Sequence, residues 1–284
     1  MWTSSDLPPI PFLPLSKELE ARIDSIPTRL SEFGYDEFGY SPAVLKKMAP
    51  LAEWFYRNYF RVETFGIEQL PEGPYLLIGN HSGQFPLDGM FVGTALILDA
   101  NPPRMVRAMV ERWAFGMPLI GEFFSRVGQI VGTPENCRRL LGQGEVVMVF
   151  PEGAVGISKP YKNRYKLTEF GLGFMRLALE NRVPIVPFGV VGAEEMYPAF
   201  TNAVPLAKLL KTPSFPITPT LPWLGPLGLI PLPTRIRIYF GAAMRFEGDP
   251  DDDDGIIGQK VLKVKEAIAA MLARGVKERE AVFW

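Results

Sequence analysis

The chain has 284 residues, 47% of them hydrophobic, enough to bury a large core. Its 30 Lys plus Arg are balanced by 31 Asp plus Glu, which excludes the broad positive field of a nucleic-acid-binding surface, so no nucleic acid is expected as a partner. One Cys and one His exclude an intrachain disulfide and a metal centre built from His and Cys, and neither a metal nor a bound cofactor is expected.

Residues 1–40, rich in Pro, Ser and charge, read as an arm with one short helix near Lys17–Ile23. The first twenty residues place no basic flank ahead of an apolar run, so no signal peptide is expected. Ser41 followed by Pro42 marks a helix start, a hydroxyl cap with proline at the first helical position. Over 41–62, Val44, Met48, Leu51, Phe55 and Tyr59 share one helical stripe, and Pro50 is expected to kink or split the helix. The aromatic residues Trp54, Phe55, Tyr56, Tyr59 and Phe60, interleaved with cations, fit either packing on the protein's own core or an interfacial position on a membrane. The expected division is an arm with its amphipathic helix over 1–62 and a main domain over 63–284.

From residue 75 onward, short apolar runs alternate with helical stretches: "YLLIG" (75–79), "RMVRAMV" (104–110), "GQIVG" (128–132), "VVMVF" (146–150), "PIVPFGVVG" (184–192) and "RIRIYFG" (235–241). The pattern predicts an α/β fold, a mixed and largely parallel sheet flanked by helices. Thr133-Pro134 opens a crossover helix and Gly144 closes it. From Pro213 to Pro233 seven prolines interrupt an apolar stretch, which therefore reads as a loop and not a membrane-spanning helix. That loop either folds over the core or faces a membrane or a substrate tunnel. A last helix is predicted near Gly255–Arg274, with Ile257, Val261, Val264, Ile268 and Met271 on one face. The acidic run before it reads as solvated carboxylates at a helix N-terminus.

The only histidine lies in "NHSGQFPLDG" (80–89), directly after a strand, where open α/β sheets bind ligands. Continuous helix from His81 to Asp88 would separate the two backbones by roughly 10 Å, too far for a hydrogen bond, so Gly83 and Pro86 are expected to turn the chain back. On spacing alone, the pair is either a loop satisfying its own hydrogen bonds or an imidazole oriented by a carboxylate as a general base.

"NHSGQFPLDG", the crossover "GQIVGTPENCRRLLGQGE", "FPEG" (150–153) and "VPIVPFGVVGAEE" (183–195) resemble, in order and spacing, the four motif regions of the glycerolipid and lysophospholipid acyltransferase family. The resemblance covers about residues 64–272. It implies a single acyltransferase-type α/β domain plus an N-terminal helical arm. His81 would be the general base and Asp88 its orienting partner. Ser82, Phe150, Pro151, Glu152 and Gly153 would contribute to substrate binding, with Pro187 near the acyl-donor pocket. Family members move a long acyl chain from an acyl-CoA or acyl-carrier-protein thioester, a co-substrate and not a bound cofactor, to a lipid hydroxyl. The expected partners are thus an acyl donor, a lipid acceptor and a membrane surface, and the expected location is cytoplasmic, with peripheral or monotopic membrane association.

Three departures bear on the acceptor. Six residues separate His81 from Asp88 where four are common, Ala154-Val155 replaces the Thr-Arg of "EGTR", and Gly132-Thr133 stands where an arginine is expected. Those arginines would grip an acceptor phosphate. The cluster "SKPYKNRYK", with Lys159, Lys162, Arg164 and Lys166, either replaces them, holds the coenzyme's phosphates or is a solvated loop. A lysophospholipid acceptor is the first expectation. A neutral mono- or diacylglycerol or fatty alcohol acceptor, thioester hydrolysis by the same His, and a non-catalytic lipid-binding role are the alternatives.

Overall fold

Strands buried on both faces must be apolar throughout, and the runs that satisfy this form the centre of a seven-stranded sheet. The computed structural model describes residues 13–117, 119–210, 212 and 214–283; residues 1–12, on which part of the export-signal reading rests, and Pro213 lie outside them. The chain begins with α1 (Lys17–Asp24) and α2 (Pro42–Trp54), then β1 (Glu63–Phe65), β2 (Tyr75–Gly79) and α3 (Leu87–Leu98). Next come β3 (Val106–Val110), α4 (Arg112–Phe115), α5 (Ile120–Arg126), β4 (Ile130–Val131), α6 (Pro134–Gly142) and β5 (Val146–Val149). The short α7 (Gly153–Ile157) and α8 (Gly173–Asn181) lead to β6 (Ile185–Val191). A small outlying hairpin, β7 (Thr201–Asn202) and β8 (Pro216–Ile217), brackets α9 (Val204–Leu210), and the chain closes with β9 (Arg237–Phe240) and α10 (Asp254–Glu278).

Strand order in the main sheet is β1-β9-β6-β2-β5-β3-β4. All neighbours are parallel except β6 and β9, which pair antiparallel, Val191 opposite Arg237. The predicted mixed, largely parallel sheet is therefore present, with helices on both faces. Alternation along β2 divides the core: Tyr75 and Leu77 pack with α1, α2 and α3, while Leu76 and Ile78 face α6, α8 and α10. Among the described residues no helix is long and apolar enough to cross a membrane.

Two local expectations need correction. The helix from Ser41 runs unbroken past Pro50 to Trp54 and then widens into a π-helical turn at Phe55–Tyr59, closed by Phe60 N–H donating to Phe55 O at 2.8 Å. Ser41 makes no side-chain cap, although Pro42 does occupy the first turn. The aromatic load of this segment is largely inside: Tyr56 and Phe60 are buried, and Tyr59 donates to Pro231 O at 2.7 Å.

Candidate active site

β2 ends at Gly79, where the neighbouring strand leaves no room for a side chain. A Cβ on Gly79 would come within 2.3 Å of the Phe188 ring. Asn80 then continues the strand pairing with its side chain, its Nδ2 donating to Val190 O at 3.1 Å and its Oδ1 accepting from Val190 N at 2.8 Å. This leaves the backbone of His81 free to turn away from the sheet at the carboxyl ends of the parallel strands.

The return loop forms as its glycine and proline predict. Gly83 (φ +94°) and Gln84 (φ +62°) are both left-handed, and Gln84 is held there by its Nε2 donating to Lys159 O at 2.8 Å. The turn brings His81 Nδ1 to 2.8 Å from Asp88 Oδ2. Asp88 lies in the first turn of α3, where the helix dipole favours a carboxylate, and its side chain is fully buried. It also accepts from Ser82 N and from its neighbour Gly89 N, each at 2.8 Å. With Nδ1 committed, Nε2 is the ring nitrogen left for a substrate, and the imidazole is 12% exposed. One ring face stacks on Phe150, centroids 4.1 Å apart, and Phe150 rests edge-on against Phe188 at 5.7 Å.

Glu152 is a hub inside the protein. Its Oε1 accepts from His81 N at 3.2 Å, and its Oε2 accepts from Thr168 N at 2.8 Å, Thr168 Oγ1 at 2.9 Å and Lys159 Nζ at 3.4 Å. Every one of these donors belongs to the protein, and the side chain is fully buried. Gly153 follows with φ +53°, and α7 folds back so closely that a Cβ on Gly156 would lie 2.9 Å from His81 Cβ.

The basic cluster divides. Lys159 is 7% exposed, between Glu152 and Glu194, whose Oε1 lies 3.3 Å from Nζ; its charge is already met, so it is not the surface cation that the sequence suggests. Arg164 stays exposed, over the Tyr161 ring at 4.5 Å, as do Lys162 and Lys166. Pro151 is half-buried beside Glu152. Pro187 is buried in the middle of β6, opposite Ile78, with its carbonyl accepting from Gly241 N at 2.8 Å. The site meets β6 through Phe188, not through Pro187. Ser82 contributes its backbone N–H, and its buried hydroxyl has no partner among the described residues.

Sequence reasoning missed Asn80, Phe188, Thr168 and Glu194. Burial pushes the Glu194 carboxyl up to about 7 against the opposing pull of Lys159. Tyr165 donates to Glu195, which is also paired with Arg279 at 2.6 Å, so the carboxylates next to the site are both buried and partnered. Among the described residues, no three His, Cys, Asp or Glu side chains are grouped to hold a metal ion.

The acyltransferase family model matches residues 61–191. An uncharacterized protein of Mycobacterium tuberculosis is 36% identical over 259 residues, covering 89% of this chain and 72% of its own length. A Gallus gallus protein named as a DGAT1/2-independent enzyme synthesizing storage lipids is 23% identical over 224 residues, 78% of this chain and 62% of that protein. The crystal structure of the 1-acyl-sn-glycerophosphate acyltransferase from Thermotoga maritima superposes with a TM-score of 0.50 at 16% identity, covering 84% of this chain and 81% of that one, a likeness of fold. The family-model match, the motif regions and the mixed sheet agree: the chain belongs to the glycerolipid acyltransferase family and is an O-acyltransferase.

Proposed function

We propose that the protein moves a long-chain acyl group from an acyl-CoA or acyl-carrier-protein thioester to the hydroxyl of a lipid, with His81 as general base. The observation that carries this reading is the 2.8 Å contact between His81 Nδ1 and the buried carboxylate of Asp88. The carboxylate orients the ring and stabilises the imidazolium that forms, so Nε2 can take the acceptor's proton as its oxygen attacks the thioester carbonyl. The new C–O bond forms, the C–S bond breaks, and the proton passes from Nε2 to the departing thiolate. A positioned base of this kind contributes about 10² to 10⁴ in rate. Glu152 is a positioning residue in this scheme, since it holds the backbone of His81 and leaves no oxygen unengaged for substrate.

Two acceptor classes follow from different observations. A lysophospholipid fits the exposed cations Lys162, Arg164 and Lys166. A neutral lipid alcohol is favoured by the burial of Lys159 and by Thr133 and Val155 at positions where arginines would grip a phosphate. The test is incubation of the purified protein with labelled long-chain acyl-CoA and acyl-carrier protein, each with a lysophospholipid, a monoacylglycerol, a diacylglycerol or a fatty alcohol. Acylated lipid lost in His81→Ala supports the reading. Free fatty acid released at the same rate with and without acceptors replaces it with thioester hydrolysis.

A further inference from the structure

Two segments project from the edge of the sheet at which His81 stands. β6 ends beside β2, with Gly79 opposite Phe188, and β9 starts back from Arg237 opposite Val191, so residues 192–236 are anchored at both ends on that edge. Their root touches the catalytic loop: the Phe85 and Tyr197 ring centroids are 4.9 Å apart, and a Cβ on Gly83 would lie 2.8 Å from Ala193 O. Residues 153–168, which follow Glu152, are tied to the same segment by Tyr161 N donating to Ala199 O at 2.8 Å and Asn202 Nδ2 donating to Ser158 O at 2.7 Å.

The surface of these segments has one chemical character. Phe200, Val204, Leu209, Trp223, Leu227 and Ile230 are exposed, Leu209 by 76% and Trp223 by 72%. There is no Asp or Glu from Met196 to Phe246 and none from Gly153 to Thr168, in a chain with 31 such residues. Glu194 and Glu195, just before the first stretch, are buried and paired. Among the described residues of these segments the exposed charges are Lys162, Arg164, Lys166 and Lys208. The acidic run at 249–254 follows the far end of β9, on the opposite edge of the sheet. Exposed apolar side chains interleaved with cations, with Glu111 against Ala154 N and Glu169 after Thr168 as the bordering exposed carboxylates, match the interface of a bilayer with anionic headgroups.

We infer that residues 153–168 and 192–236 form a shallow docking surface for an anionic lipid bilayer, setting the His81 edge of the sheet against the headgroups. The inference rests on the reading of the acceptor as a lipid, and its test measures binding alone. The full chain is sedimented with vesicles of phosphatidylcholine and with vesicles of phosphatidylcholine plus phosphatidylglycerol, at low and high salt. Binding is expected to be about tenfold or more tighter to the anionic vesicles and to weaken with salt. The triple variant Lys162→Glu, Arg164→Glu, Lys166→Glu should lose that preference. The triple variant Trp223→Ser, Leu227→Ser, Ile230→Ser should lose affinity for both vesicle types while keeping the wild-type melting temperature. His81→Ala should bind as the wild type does, which separates this inference from the catalytic one. Equal sedimentation of wild type and both triple variants overturns it, and so does a Trp223-dependent dimer in lipid-free solution, which gives the surface to a second copy of the chain.

Discussion

The imidazole of His81 is constrained from three sides: Asp88 holds Nδ1, Phe150 covers a ring face, and Glu152 holds the backbone N–H. Only the outward ring nitrogen is left for chemistry. Replacing His81 by Ala is expected to lower kcat by about 10² or more with an unchanged melting temperature. Retention of a tenth of wild-type turnover in a folded His81→Ala protein removes the general-base assignment. Asp88→Asn should lower kcat more than it raises the acceptor KM, because it removes the charge that supports the imidazolium. Glu194 supplies a pH signature, since its carboxyl is raised from 4.5 to about 7 by burial, with Lys159 opposing. Between these values the folded state binds a proton that the unfolded state has released, so this group's contribution to stability falls as pH rises from 4.5 towards 7. Lys159 lies against it, the Tyr165 N–H donates to it, and Glu195 is the neighbouring carboxylate. Urea unfolding of wild type and Glu194→Gln at pH 5 and pH 8 should show the wild type losing ground to the variant at pH 8. A difference independent of pH places the titration elsewhere.

Secondary elements were legible where composition alone decides them. The central strands β2, β5 and β6 are apolar throughout because helices cover both their faces, and the helix from Pro134 is opened by Thr133, whose hydroxyl accepts from Asn136 N at 3.2 Å. The direction of β9 was not legible, since a four-residue strand carries no mark of its neighbour's orientation. The His81–Asp88 pair was readable because one loop brings it together. Glu194 and Thr168 reach Lys159 and Glu152 only through the tertiary fold, and the inward turn of Lys159 has no signature in "SKPYKNRYK". At the level of a single element, α7 gives a direct test. A methyl group on Gly156 meets His81 Cβ at 2.9 Å, His81 O at 3.1 Å and Glu152 Cβ at 2.9 Å, all parts that cannot swing aside. Gly156→Ala is therefore expected to displace the base and cut kcat about tenfold or more, since small misplacements at a reacting centre are costly. Gly142→Ala, at the end of α6 with open space around it, should leave kcat unchanged. Equal activity in the two variants means that α7 does not set the position of His81.

Across the whole molecule the sheet separates two cores with different relations to the site. On one face Phe188 shares a core with α3 residues such as Phe91 and supports Phe150, and through it the imidazole. On the other face α10 buries Ile257, Val261, Val264, Ile268 and Leu272 against β6 and β9, in a core that among the described residues does not include Phe150 or Phe188. Both cores stabilise the same fold, so truncation on either side should cost stability: about 3–5 kcal/mol for Phe188→Ala and about 2–5 kcal/mol for Ile268→Ala, read from denaturant midpoints at constant slope. Their effects on turnover should differ. Phe188→Ala removes the ring that Phe150 rests on and opens space beneath the imidazole stack, so the folded protein should show a kcat lower by about tenfold, with Phe188→Leu intermediate. Ile268→Ala should show wild-type kcat once activity is divided by the folded fraction, because a cavity under α10 is separated from His81 by the sheet itself. If both variants lose kcat alike at equal folded fraction, the sheet transmits packing defects to the site as one unit; if neither does, the Phe150–Phe188 contact does not position the base.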